Sequence, residues 1–326
     1  MMQAGEQALD IARTALLTAG WPETVPGVTV DRQCGSSQQS IHFAAAGVVA
    51  GHYDVVVAGG VESMSRVPMG SSLANGGRPF PDAFLSRYNG AIPNQGIGAE
   101  MIAEQWGFDR TMLDEFSLGS HEKAAAAQDS GAFDDQIVAI KDPDGNVVLK
   151  DEGIRRGTTI EKMAELKPAF KEDGVIHAGN SSQISDGPRR CCSCRRRRRR
   201  RWGSSRSPKY TLRRWPAPTG DHAHRADPGH PEGPEEIRPE PGRHRDLRGQ
   251  RGVRARAAGL AARHRRRREE TQPQRRRYRA GPSARWLGAR IMTTLLYHMR
   301  DKGIRYGLQT MCEGGGQANA TIVELL

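Results

Sequence analysis

A break in composition does most to limit what this chain can fold into. Over residues 1–187, and again from residue 288 to the end, apolar residues recur at helix and strand spacings. Between 188 and 287 that patterning is lost, and arginine, proline and glycine take its place. A segment without recurring apolar residues buries too little surface to offset the entropy of ordering it. The expectation is therefore packed α/β structure on either side of a disordered middle segment. A net charge of +12 and a hydrophobic fraction of 37% over 326 residues average two unlike materials.

In the N-terminal part, apolar spacing predicts a helix over 5–19, stopped by Gly20, Trp21 and Pro22. The β-branched run at 28–30 reads as a strand, and 41–50 as a buried helix. Val55-Val56-Val57-Ala58 reads as a strand covered on both faces. Strand, helix, strand in that order is a parallel α/β unit with a right-handed crossover. From 66 to 178 the pattern changes to helices near 97–106 and 111–130 and a polar hairpin around 142–145, an inserted subdomain. Near the C-terminus, 291–299 is an amphipathic helix candidate, with strands at 306–311 and 321–325 separated by Gly314-Gly315-Gly316.

Two cysteines stand where chemistry is possible. Cys34 lies between a strand and a helix, near the first turn, where unpaired N–H groups and the helix dipole favour a thiolate. Small neighbours (Gly35, Ser36 and Ser37) leave room for a carbonyl, although the same position suits a buried structural cysteine. Cys312 precedes three glycines whose amides can form an anion-binding concavity or merely a flexible hairpin tip.

Four segments together resemble one family. Residues 30–39, VDRQCGSSQQ, resemble the acyl-enzyme signature of thiolases, and 54–64, DVVVAGGVESM, their following strand and dimer-contact loop. Residues 178–187, AGNSSQISDG, are similar to the segment whose serine contacts coenzyme A, and 307–319, GLQTMCEGGGQAN, to the C-terminal signature with its second cysteine. The resemblance implies the thiolase fold: two similar αβα halves layered αβαβα, with an inserted loop domain. Its divisions here are an incomplete N-terminal half (1–65), the loop domain (66–178), a return to the core (179–187), the aberrant segment (188–287) and a C-terminal remnant (288–326).

By the same resemblance, Cys34 is the nucleophile that takes an acyl group as a thioester, and Cys312 the general acid/base. The amides of Cys34 and Gly314 form an oxyanion hole, and Ser182 touches the coenzyme A arm. The implied activity is 3-oxoacyl-CoA thiolysis or the reverse acetyl-CoA condensation. Coenzyme A is a substrate, no cofactor or metal is implied, and the resemblance implies a homodimer or homotetramer.

The chain departs from the family pattern in three places. It starts late, lacking a strand-helix-strand before the residue matching Gln3. The Asn-Glu-Ala-Phe motif is absent, and so is the Gly-His-Pro-Leu-Gly motif whose histidine activates the nucleophile; Gly229-His230-Pro231 continues as Glu232-Gly233. The genetic code offers an explanation for both missing motifs. Pro188-Arg189-Arg190-Cys191-Cys192-Ser193-Cys194 can be encoded so that reading two bases later gives Ala-Ala-Val-Leu-Leu-Met, which thiolases place after Ser-Asp-Gly. Residues 282–287 can hide His-Pro-Leu-Gly-Gly one base later, and 248–253 can hide Glu-Val-Asn-Glu-Ala. Residues 188–287 thus read as an out-of-frame translation of a GC-rich gene bounded by at least two slips. The chain is then an impaired acyltransferase or an inactive remnant.

On that reading the seven arginines at 195–201 are an accident of frame; the alternative left for them is a basic nucleic-acid-binding protein. Cys191, Cys192 and Cys194 are too close together for a zinc site and have no second pair. Five cysteines give no disulfide framework, and neither a signal peptide nor a membrane span is legible, so the cytoplasm is the expected compartment.

Overall fold

The computed structural model describes residues 2–73, 79–92, 94–142, 144–194, 210–214 and 287–325. After a short 3-10 turn, helix α1 (Ile11–Thr18) starts where the Asp10 carboxylate accepts the Arg13 N–H at 3.3 Å. α2 (Ser36–Ala50) ends at Gly51, whose φ of +89° closes the helix in the left-handed region. β1 (Val55–Ser63) follows. The inserted region holds α3 (Asp82–Arg87), α4 (Gln95–Trp106), α5 (Arg110–Asp129), the small hairpin β2 (Ile140–Lys141) and β3 (Val147–Val148), and α6 (Ile160–Ala164). Then come β4 (Asp186–Cys194), β5 (Tyr210–Arg214), α7 (Leu287–Lys302), β6 (Tyr306–Glu313) and β7 (Gln317–Leu325).

Helices α4 and α5 lie where the apolar spacing predicts them, but begin slightly earlier because capping sets their starts. Asn94 accepts the Gly96 and Ile97 N–H groups and Asp109 accepts that of Met112, so α4 and α5 start at the residues that follow these caps. α7 is longer than 291–299 at both ends. The hairpin around 142–145 is present, with the Asn146 N–H bonded to the Asp142 carboxylate.

Three expectations are corrected. The helix expected over 5–19 is confined to Ile11–Thr18, behind a 3-10 turn at Gly5–Gln7. Residues 28–30 form no strand, and β1 pairs antiparallel with β4, Val55 opposite Cys194 through Ser63 opposite Asp186. Val28 is 76% exposed and a three-residue run between Gly27 and Asp31 offers little surface to bury, so no parallel unit forms there among the described residues. Structure also continues past residue 188: 188–194 lie in β4, and 210–214 form β5 against β7. Ladder bonds use backbone N–H and C=O groups and so do not need an apolar sequence. The remaining residues of the arginine-rich stretch, including 195–201 and Gly229-His230-Pro231, lie outside the described residues.

The principal core joins α2 and α7 to both sheets. Ile41 and Ala44 of α2, Ala58 of β1, Ala289, Met292 and Met299 of α7 and Val323 of β7 are all buried in one cluster. The two helices cross closely at their N-terminal ends, where a Cβ on Gly288 would meet the Gln38 Cβ at 2.7 Å and its backbone nitrogen at 2.8 Å. The Ala289 N–H donates to the Ser37 hydroxyl at 2.9 Å and the Gln309 amide to the Gly288 carbonyl at 2.9 Å. This crossing brings the start of α2, next to Cys34, beside β6 and β7, which lead to Cys312.

Candidate active site

Cys34 stands in a tight turn that ends where α2 begins. Gln33 before it has φ +49°, in the left-handed region that non-glycine residues rarely enter. Hydrogen bonds hold this turn. The Asp31 carboxylate accepts the Gln33 N–H at 2.9 Å, the Arg32 carbonyl accepts the Gly35 N–H at 3.1 Å, and the Ser36 hydroxyl accepts the Arg32 N–H at 3.0 Å. Such strain persists where the surroundings over-determine it, and here it falls on the residue preceding a buried thiol. Gly35 has an ordinary φ of −84°, so glycine is needed there for space: a Cβ would fall inside the Glu313 carboxylate.

Cys312 arrives from the far end of the chain. β6 and β7 pair with Cys312 opposite Ala318 and Glu313 opposite Gln317, leaving Gly314, Gly315 and Gly316 as the connecting loop. Gly315 and Gly316 take φ values of +83° and +71°, which glycine adopts without steric cost. Gly314 instead rests on Gln33, and a Cβ there would touch the Gln33 Cγ and Oε1 at 3.3 Å. The hairpin tip therefore sits on the turn that carries Cys34.

Cys312 is the more exposed of the two residues, yet displacement of water from its thiol pushes the pKa up, and the neighbouring Cys34 adds to the shift. The Gln95 side-chain amide, donating to the Cys312 Sγ at 3.5 Å, acts in the opposite direction. Gln95 is the first residue of α4, so the inserted region reaches the site.

The structure thus brings Cys34, Cys312 and Gly314 together. Ser182 lies half-buried on the segment leading from the inserted region into β4. Asn180 fixes that segment by accepting the His177 N–H at 2.8 Å and donating to the Asp114 carboxylate and the Val175 carbonyl. Asp114 also bonds the buried His177 ring at 2.7 Å, which ties the segment to α5.

Sequence reasoning missed Gln33, Gln95, Arg32 and Glu313. The last two carry a faint signal: opposite charges flank the two cysteine motifs, and Arg32 Nε meets the Glu313 carboxylate at 2.6 Å.

A thiolase N-terminal domain model matches residues 1–190 and a thiolase C-terminal domain model matches 285–325, with the stretch between them outside both. The chain is 36% identical over 358 aligned residues to a steroid 3-ketoacyl-CoA thiolase of Mycobacterium tuberculosis, covering 99% of this chain and 80% of that protein. It is 42% identical over 204 residues to a probable acetyl-CoA acyltransferase of Staphylococcus aureus, covering 57% of this chain and 50% of that protein. With two family models in order and two thiols from opposite ends of the chain converging at a strained turn, the chain belongs to the thiolase family of acyltransferases.

Proposed function

We propose that Cys34 carries the acyl group and Cys312 moves the protons in transfer between a 3-oxoacyl-CoA and coenzyme A. The observation that carries this reading is the seating of the Cys312–Gly314 hairpin tip on the Cys34 turn. In the cleavage direction the Cys34 thiolate adds to the 3-keto carbon and the bond between carbons two and three breaks. The acetyl-CoA carbanion that leaves takes its proton from Cys312. A second coenzyme A thiol, deprotonated by Cys312, then displaces the acyl group from Cys34. A thiol held above its usual pKa keeps its proton near neutrality and can deliver it to a carbanion, which supports the role given to Cys312. The amides of Cys34 and Gly314 would hold the oxyanion, and Ser182 the coenzyme A arm. The wider setting proposed with this chemistry is lipid metabolism in the cytoplasm, carried out by a homodimer or homotetramer. No helix among the described residues is long and apolar enough to cross a membrane.

We further propose that the chain as it stands is impaired because residues 188–287 are read out of frame. The gap between the two family matches coincides closely with that stretch, which supports the reading. The missing histidine and asparagine motifs would lie within it.

The test compares this chain with one encoded by a frame-restored gene. Each is mixed with acetoacetyl-CoA, and the acyl group is located by peptide mass spectrometry. Acylation is expected at Cys34, absent in Cys34→Ala and reversed by coenzyme A. It should be slower in the present chain by about 10²–10⁴-fold, the usual contribution of a positioned general base. An unmodified Cys34 in both proteins would refute the acyl-carrier role. Equal rates in the two would refute the impairment.

A further inference from the structure

Beside the two cysteines lies an ion pair that the acyl-transfer scheme does not use. We propose that Arg32 and Glu313 form a clasp that positions Cys34 and Cys312 relative to one another, one partner from each cysteine-bearing segment. Treating the two thiols as one site rests on the reading above.

The pair joins residues separated by 281 positions in the sequence. The Glu313 side chain is completely buried while Arg32 keeps 22% of its side-chain exposure. A buried carboxylate is tolerated only with partners. Glu313 has two, Arg32 Nε at 2.6 Å on one oxygen and the Asn319 amide on the other. The rest of the guanidinium is also committed, donating to the Gln39 Oε1 of α2 at 2.5 Å and to the Ala318 carbonyl of β7 at 3.3 Å. One planar, multidentate group therefore links the Cys34 turn to α2, β6 and β7. The same Glu313 carboxylate lies directly against the α-carbon of Gly35, so it sets the spacing between the hairpin and the turn. Each partner is close in sequence to a cysteine, Arg32 two residues before Cys34 and Glu313 one after Cys312.

Among the described residues, burial first and then Cys34 and Glu313 push the Cys312 thiol up while Gln95 opposes them, and Arg32 pairs with the Glu313 carboxylate. The experiment uses the full chain and thiol reagents without an acyl donor, so it stands even if no acyl transfer occurs. Bridging of Cys34 to Cys312 by a short dibromoketone is compared with single alkylation of each thiol by iodoacetamide, read by peptide mass spectrometry. Arg32→Lys keeps the charge but loses the fork. It is expected to lower the bridged fraction several-fold while each thiol still reacts singly. Arg32→Gln leaves the Glu313 charge uncompensated and should slow Cys312 alkylation at fixed pH, about tenfold for each unit of pKa, because the thiolate is the reactive form. In a Glu313→Gln background the Arg32→Gln change should have no such effect.

An unchanged bridged fraction in Arg32→Lys would overturn the proposal, as would an equal Arg32→Gln effect in both backgrounds. Should Arg32→Gln fail to fold, recovery of helical circular dichroism in the Arg32→Gln/Glu313→Gln double variant supports the clasp. A double variant that also fails to fold counts against it, because the neutral pair leaves no buried charge.

Discussion

Replacing Gly288 by alanine tests the helix crossing on which the site is built. The added Cβ would lie 2.7 Å from the Gln38 Cβ and 2.8 Å from its backbone nitrogen. Carbon atoms rest at about 3.5–4.0 Å, so α2 and α7 must separate by about 1 Å at this point. The nearest obstacle includes backbone, which cannot rotate away as a flexible side chain would. Overpacking of this kind costs about 1–3 kcal/mol. The same displacement strains two buried hydrogen bonds, Ala289 N–H to Ser37 and Gln309 to the Gly288 carbonyl, each contributing about 1 kcal/mol. Against this stands the gain in helix propensity, at most about 1 kcal/mol and less in the first turn of a helix. The net expectation is a loss of about 2–4 kcal/mol, by the difference of these magnitudes. Urea unfolding followed by circular dichroism reads this as a lower midpoint with an unchanged slope. The internal control is Gly98→Ala in α4, where nothing beyond the helix's own adjacent backbone lies within 4 Å of the new Cβ. There the propensity gain acts alone, and the midpoint should rise by the equivalent of about 0.5–1 kcal/mol. If Gly288→Ala raises the midpoint as Gly98→Ala does, the close crossing at Gly288 is refuted.

Two further perturbations address the titrating groups. Gln95→Leu removes the amide that opposes the upward push on the Cys312 thiol, so Cys312 alkylation at fixed pH should slow; an unchanged pH profile would dissociate α4 from the site. His298 has a pKa lowered by burial and then by the Lys302 charge, so the unfolded chain takes up a proton more readily than the folded one. Its contribution to stability is complete above the unfolded pKa and is lost as pH falls towards the folded one. His298→Gln should flatten the fall in urea midpoint below about pH 6.5, the ordinary histidine value, and an unaltered slope would refute this.

The parts of this fold that were legible in the sequence are those fixed by neighbours in the chain. α4 and α5 could be located because apolar spacing and capping are local. Their starts moved by only one or two residues once the Asn94 and Asp109 caps were counted. Cys34 and Cys312 could be singled out because each stands in a local motif. The missed features depend on contacts between distant segments. The Arg32–Glu313 pair spans 281 positions, and the positive φ of Gln33 is imposed by the turn and the glycine loop resting on it. Likewise, the apolar run of β1 announces a strand but cannot name its neighbour, and the partner proved to be β4, antiparallel and more than a hundred residues away.

That pairing also bears on the frame. The register places residues 189–194, Arg-Arg-Cys-Cys-Ser-Cys, alongside the segment from Gly60 back to Val55. Backbone bonding is indifferent to side-chain type, and so the ladder forms. Val56 packs against the principal core while Val57 is half exposed, so β1 is covered on one face rather than on both as its apolar run suggests. The shifted frame supplies Ala-Ala-Val-Leu-Leu-Met for the same six places. The position of the strand is consistent with either reading. Agreement between local sequence and tertiary environment is the mark of a foldable segment. The change of composition at residue 189, just after the intact Ser185-Asp186-Gly187, is what a slipped gene would produce.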